Sequence, residues 1–280
     1  MDGFFAEDVR KKTAYAFLIS AAVMALCLLF LQPQAINNDD YIISGILSGA
    51  HGERSAVTVH TNYLLAKLLV YLYIALPAVN WFSVMEITLL YLSFALAASA
   101  VLITRQKGEA AALVILTQLG LAPFFYTQLH NTKLTPLAAL AGLMAVYHGI
   151  KQRRGFFTVM GALISILAFC MRLQAFLIGV FFAFGAIGAD MLEESGCSLK
   201  KIVKKNKRVI SRFLLLLLCA ALFMAADAVL IGNAPDGAYY RQYNSARGEV
   251  LDFKIPGYDE NIGGFGALSI SRNDFNMLRQ

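Results

Sequence analysis

Asp39 and Asp40 stand side by side in Asn37-Asn38-Asp39-Asp40-Tyr41, close behind the apolar run Ala14–Leu31. Two carboxylates at the exit of such a run are costly to hold at an interface unless they are well solvated or have a task. Three tasks suit them. A carboxylate can cap the helix that follows and complement its dipole, worth about 0.5–2 kcal/mol. It can act as a general base that takes a proton from an acceptor hydroxyl. The pair can also hold a hard divalent cation that offsets phosphate charge. These uses overlap, because an aspartate can cap and catalyse at once.

Arg172 interrupts an otherwise apolar stretch, where a guanidinium is expensive. It either turns the chain between two short helices and snorkels to headgroups, or clamps a phosphate of a lipid-linked substrate. Arg241, Arg247 and Arg272 are interleaved with tyrosines, Tyr243 among them, and offer hydrogen bonds and stacking to sugar and phosphate. They could equally pair with Asp236, Glu249, Asp252 or Asp274. His130 is a further candidate for substrate contact, and His51 and His60 read as polar contacts in the same outer loops. No two histidines share a ligand spacing on one helix, so no zinc site is expected. Glu86 and Asp227, each one turn from the end of an apolar run, read as partners in helix–helix hydrogen bonds.

The elements that must position these groups are apolar helices. The chain has 280 residues, 58% hydrophobic and 15% charged, with mean hydropathy +0.61. A soluble domain carries about 25% charged residues, so the composition is that of a membrane protein. The net charge of +6 sits in short clusters between apolar runs, which read as topology signals and not as a nucleic-acid face. Cys27, Cys170, Cys197 and Cys219 show no C-x-x-C spacing and read as small packing residues.

A span needs roughly 17–25 apolar residues. The candidates are Ala14–Leu31, Tyr63–Val79, Phe82–Ile103, Ala110–Tyr126, Leu134–Ile150, Phe156–Met171, Leu173–Ala189 and Phe213–Ile231. The first reads as a retained signal anchor, because Gln32-Pro33-Gln34-Ala35 is a poor cleavage site. Arg10/Lys11/Lys12, Arg105/Lys107, Lys151/Arg153/Arg154 and the run Lys200 to Arg212 should be cytoplasmic, the N-terminus with them. That parity holds only if Tyr63–Val79, which carries Lys67 and ends near Pro77, does not cross. The expected fold is therefore an all-α polytopic bundle of seven spans, eight in the alternative. Residues 1–231 form its membrane domain and 232–280 an external tail. The first external loop, 32–62, holds a short amphipathic helix: Ile42, Ile43, Ile46 and Leu47 share one face, Asn38 or Asp39 caps it, and Gly49 and Gly52 stop it.

This layout resembles the GT-C superfamily of integral-membrane glycosyltransferases. The matching residues are Asn37-Asn38-Asp39-Asp40-Tyr41 with Ile42–Leu47 behind them, and more loosely Tyr243-Asn244-Ser245-Ala246-Arg247 and 269–275. The resemblance implies a polyprenyl-phosphate sugar donor entering from the bilayer and an envelope or cell-surface acceptor. It implies Asp39 or Asp40 as the base, and Arg172, with Arg241 or Arg247, on the departing lipid phosphate. The close at Leu278-Arg279-Gln280 follows no cap or turn, as expected of an N-terminal portion. Two other functions are carried forward. A transporter or flippase needs ionisable groups near mid-depth and an internal repeat, neither of which is visible. A non-catalytic scaffold in envelope polysaccharide biogenesis needs no reactive acid at all.

Overall fold

The computed structural model describes residues 2–35, 38–104, 107–195, 199–240, 242, 257–267 and 271–278. The chain falls into two units, Met1–Asn233 and Ala234–Gln280. In the first, helices α1 (Asp2–Phe30), α2 (Asn38–Ser48), α3 (Tyr63–Ala75), α4 (Trp81–Thr104), α5 (Lys107–Thr127), α6 (Asn131–Lys151), α7 (Gly155–Met171), α8 (Leu173–Ser195), α9 (Leu199–Lys205) and α10 (Lys207–Asn233) follow one another. The strands described are two residues long: β1 (Gln34–Ala35) pairs in parallel with β2 (Gln128–Leu129), Gln34 opposite Gln128.

Among the described residues five helices, not the expected seven to eight, are long and apolar enough to cross a membrane. They are Asp8–Phe30, Trp81–Ile103, Glu109–Thr127, Leu173–Ser195 and Lys207–Asn233. The shortfall lies in α6 and α7, and its causes differ. With 17 residues α7 spans about 25 Å at 1.5 Å per residue, short of a hydrocarbon core of about 30 Å. Helix α6 has the length but not the apolarity, since Lys133, His148 and Lys151 lie within it; packed among α4, α7 and α8, it meets protein over most of its surface. A helix shielded in this way needs small residues more than lipid-compatible ones. The 13-residue α3 is shorter still, about 20 Å, too short to cross as a straight helix.

Helices α6 and α7 approach closely at Gly142 and Gly161. A Cβ on Gly161 would stand 2.5 Å from the Gly142 carbonyl oxygen, so only glycine fits. Arg172 is the single non-helical residue between α7 and α8, and the chain reverses there. Its side chain meets Asn131 at the start of α6, whereas Asp190, late in α8, meets Lys151 at the end of α6. Helices α6 and α8 therefore run side by side in one direction.

Helix α2 forms where its spacing predicts, but Ile42 does not share the buried face expected of it. Ile43 and Leu47 are fully buried, Ile42 faces outward, and Gly49 follows the last turn at φ 83°, the left-handed conformation that glycine adopts freely. The second unit holds two short helices, Ile262–Ala267 and Arg272–Leu278. Ser271 and Asp274 cap the latter reciprocally, and Arg272 pairs with Asp259 and lies over Tyr258, 5.6 Å from the ring centroid.

Candidate functional site

The β1–β2 bridge explains how residues 91 positions apart meet. It ties the chain entering α2 to the chain entering α6, so Asp40 faces the first residue of α6. Asp40 Oδ2 accepts a hydrogen bond from the Asn131 backbone N–H at 3.2 Å. The Asn131 side-chain oxygen in turn accepts from Arg172 Nη1 at 3.1 Å. The same Nη1 lies 3.4 Å from Asp39 Oδ2. Asp39, Asp40 and Arg172, remote in sequence, thus share one corner of the bundle.

The two aspartates are not equivalent. The Asp39 side chain keeps 21% of its exposure beside Arg172, whereas the Asp40 side chain keeps 1%. Burial pushes the Asp40 carboxyl up to about 6, against the opposing pull of the Asn131 hydrogen bond and the Arg172 charge. Its Oδ1 is buried with no hydrogen-bond partner among the described residues, as is Asn131 Nδ2. Glu86 on α4, 1% exposed, lies close enough to Asp40 for their charges to interact, and its Oε1 likewise has no partner among the described residues. Buried polar atoms left this way are few in folded proteins and call for an explanation.

Arg172 uses one nitrogen on Asn131 and Asp39. Its Nε and Nη2 make no hydrogen bond among the described residues, which leaves part of the donor fork open. Comparison with family models, curated proteins and solved structures gives no match. The site stands on its geometry.

His130 reaches the corner in a structural role. Its Nδ1 accepts the Thr132 backbone N–H at 3.1 Å and so caps α6. Burial, then the Lys133 and Arg172 charges, push its imidazole below the ordinary 6.5, although Asp39 pulls the other way. A neutral ring whose Nδ1 lone pair is already used cannot donate to Asp40 from that atom. The 3.8 Å separation between Nδ1 and Asp40 Oδ2 is therefore a contact and not a hydrogen bond.

Arg241, Tyr243 and Arg247 lie outside the described residues. No group of three or more His, Cys, Asp or Glu among the described residues is arranged to hold a metal ion.

Sequence reasoning named His60 but gave it no part in the site. The structure places His60 Nε2 3.7 Å from Asp39 Oδ2. It does so through a γ-turn: Thr61 N–H donates to the Val59 carbonyl at 2.8 Å with His60 at φ 65°, the rarer and more strained hand. The next residue anchors the loop, since Asn62 N–H donates to the Cys170 carbonyl two residues before Arg172. Asp227 on α10 accepts from Tyr63 N–H at 2.5 Å and fixes the start of α3. Asn131 was missed altogether. Its one sequence signal is a polar residue at the head of an apolar run, which reads as a cap and says nothing of burial.

Proposed function

We propose that this chain is a membrane glycosyltransferase of the GT-C type, acting on a sugar carried by a polyprenyl phosphate and on an envelope or cell-surface hydroxyl. The observation that carries the reading is the Asp39–Arg172 pair, with Asn131 linking Arg172 to Asp40, a base and a half-open guanidinium at one end of a bundle of membrane-length helices.

In this mechanism Asp39 is the base, because it is the accessible member of the pair. The acceptor hydroxyl gives its proton to the Asp39 carboxylate while its oxygen bonds to the anomeric carbon. The bond from that carbon to the phosphate oxygen breaks, and the lipid phosphate leaves with the electron pair. Negative charge grows on the leaving oxygen, where the free donors of Arg172 stabilise it most in the transition state. Asp40 touches no substrate. It fixes α2 to the start of α6 and so holds Asp39 opposite Arg172.

Two further features favour a lipid-borne donor. Phe169 and Phe176, which flank Arg172 in sequence, line an apolar slot with Phe223 between α7, α8 and α10, with a void of about 60 Å³. The slot offers hydrocarbon surface within a helical turn of the arginine in sequence but has no room for a sugar. The clustered lysines and arginines of α9, the start of α10 and the α6–α7 turn lie at the other end of the bundle. The positive-inside rule then puts the acidic corner on the outer side.

The test is product analysis with purified protein in liposomes that contain a synthetic polyprenyl-phosphate sugar and an acceptor. Free lipid phosphate and glycosylated acceptor should appear together, and Arg172→Gln should slow both by about 10²-fold, the loss typical of one charge-stabilising donor. Lipid redistribution between leaflets with the sugar still attached would replace this reading with transport. No turnover of any donor, with the protein bound to a larger enzyme, would replace it with a scaffold.

A further inference from the structure

The end of the bundle opposite Asp39 carries a groove that the proposed reaction does not use. Its walls are the early turns of α1 and the α6–α7 turn with the first residues of α7, and it encloses about 1090 Å³. Arg10, Arg153 and Arg154 line it, together with Phe17, Phe156 and Phe157. The aromatic rings form a continuous surface, with 6.2 Å between the Phe17 and Phe156 centroids and 5.5 Å between Phe156 and Phe157. Among the described residues no acidic side chain lines the groove. Asp8, near it on α1, is already paired with Lys12 at 3.1 Å. The three guanidiniums form no ion pair among the described residues. Three like charges in one concavity repel unless an anion joins them.

Arg153 adds an independent sign. It sits at φ 56°, and His60 is the other non-glycine residue with positive φ among those described. The position follows the end of α6, with Arg154 N–H donating to the Gly149 carbonyl at 2.7 Å. Helix ends of this kind take glycine without strain. An arginine there holds its guanidinium at the groove against a backbone penalty. Helix α7 also begins at this groove, and its N-cap residue Arg154 makes no side-chain capping bond.

We propose that this groove holds an anionic phospholipid, its phosphate on Arg10, Arg153 and Arg154 and its acyl chains along Phe17 and Phe156. The amphipathic lining selects the ligand. A free phosphate compound has nothing to place on three aromatic rings, while a lipid beside the membrane-length helix α1 satisfies both surfaces at once. The positive-inside rule accounts for arginines at this end of the chain, but not for their convergence on one aromatic-floored hollow.

The experiment is native mass spectrometry of the delipidated full chain, titrated with phosphatidylglycerol or with phosphatidylcholine of the same acyl chains. One phosphatidylglycerol should be retained in preference to phosphatidylcholine. Arg153→Gly should melt no lower than the parent, because glycine relieves the left-handed strain, yet bind phosphatidylglycerol about tenfold more weakly, the loss expected for one charge-assisted partner. Lys200→Gln/Lys201→Gln on α9 should leave that affinity unchanged. Equal retention of the two lipids overturns the proposal, as does undiminished binding by Arg153→Gly. Displacement of the lipid by glycerol phosphate at matching concentration overturns it in favour of a free-phosphate site.

Discussion

The two ends of the bundle handle buried and half-buried charge in opposite ways. Where α6 ends, Lys151 donates to Asp190 at 2.6 Å, to Glu194 at 2.5 Å and to the Tyr147 hydroxyl at 3.2 Å, so all three ammonium protons are used. Tyr147 donates to Asp190 in turn, and Lys205 lies 3.3 Å from Glu194. Where α6 begins, among the described residues Arg172 has donors to spare, and Asp40 Oδ1, Asn131 Nδ2 and Glu86 Oε1 are buried without partners. A saturated network rigidifies and is a clamp. A partly satisfied one in a low dielectric is under stress until something binds. The same helix thus carries a structural lock at one end and an open set of donors and acceptors at the other.

The contrast depends on α6 and α7 staying in register, so the most severe way to break it is Gly161→Leu. A side chain driven into the Gly142 carbonyl must part the two helices, and we expect a loss of about 3 kcal/mol or more, seen as failure to recover folded protein from detergent. Asp40→Asn sharpens the contrast in the opposite direction. The folded carboxyl titrates at about 6 against an ordinary 3.8, so folding favours its protonated form. The penalty for ionising it is full above about pH 6, shrinks as the pH falls through that value and is gone below the unfolded value. That shift corresponds to about 3 kcal/mol at most. Thermal melts should show Asp40→Asn more stable than the parent at pH 8 and level with it near pH 4. A variant less stable at pH 8 would mean that Asp40 is held by partners stronger than those seen.

How far these features were legible in the sequence varies with what each depends on. Helix α2 and its glycine stop follow from residue types and a 3.6-residue period, both local. The convergence of Asp39, Asp40 and Arg172 was reached by tracking which loops share a side, a topological inference that asks only for correct parity. The span count failed at α7, which is short, and at α6, whose lysines and His148 lower its apolarity; that α6 packs among α4, α7 and α8 is set by tertiary contacts and leaves no mark in the sequence. Asn131 and the β1–β2 bridge were out of reach for the same reason, since a two-residue strand has no periodicity and burial of a lone asparagine leaves no mark in composition. His60 was visible as a residue but not as a γ-turn, because no glycine advertised the positive φ.

Smaller effects separate the capping and clamping residues from the reacting ones. His130→Ala should cost about 1 kcal/mol through loss of the α6 cap, while His130→Asn, which can still accept the Thr132 N–H, should restore most of it. Lys151→Met should cost about 1 kcal/mol or less, since Asp190 and Glu194 are partly exposed, and the difference should shrink in high salt. Salt should leave the Asp40→Asn difference nearly unchanged, because that carboxylate is buried.

The most direct measurement is the rate of sugar transfer from a polyprenyl-phosphate donor by the parent, Asp39→Asn and Asp40→Asn proteins at equal folded concentration. Loss of the base should slow Asp39→Asn by about 10²–10⁴-fold, with Asp40→Asn retaining far more of its rate. Transfer by Asp39→Asn at the parental rate would contradict the assignment of that corner as a reaction site.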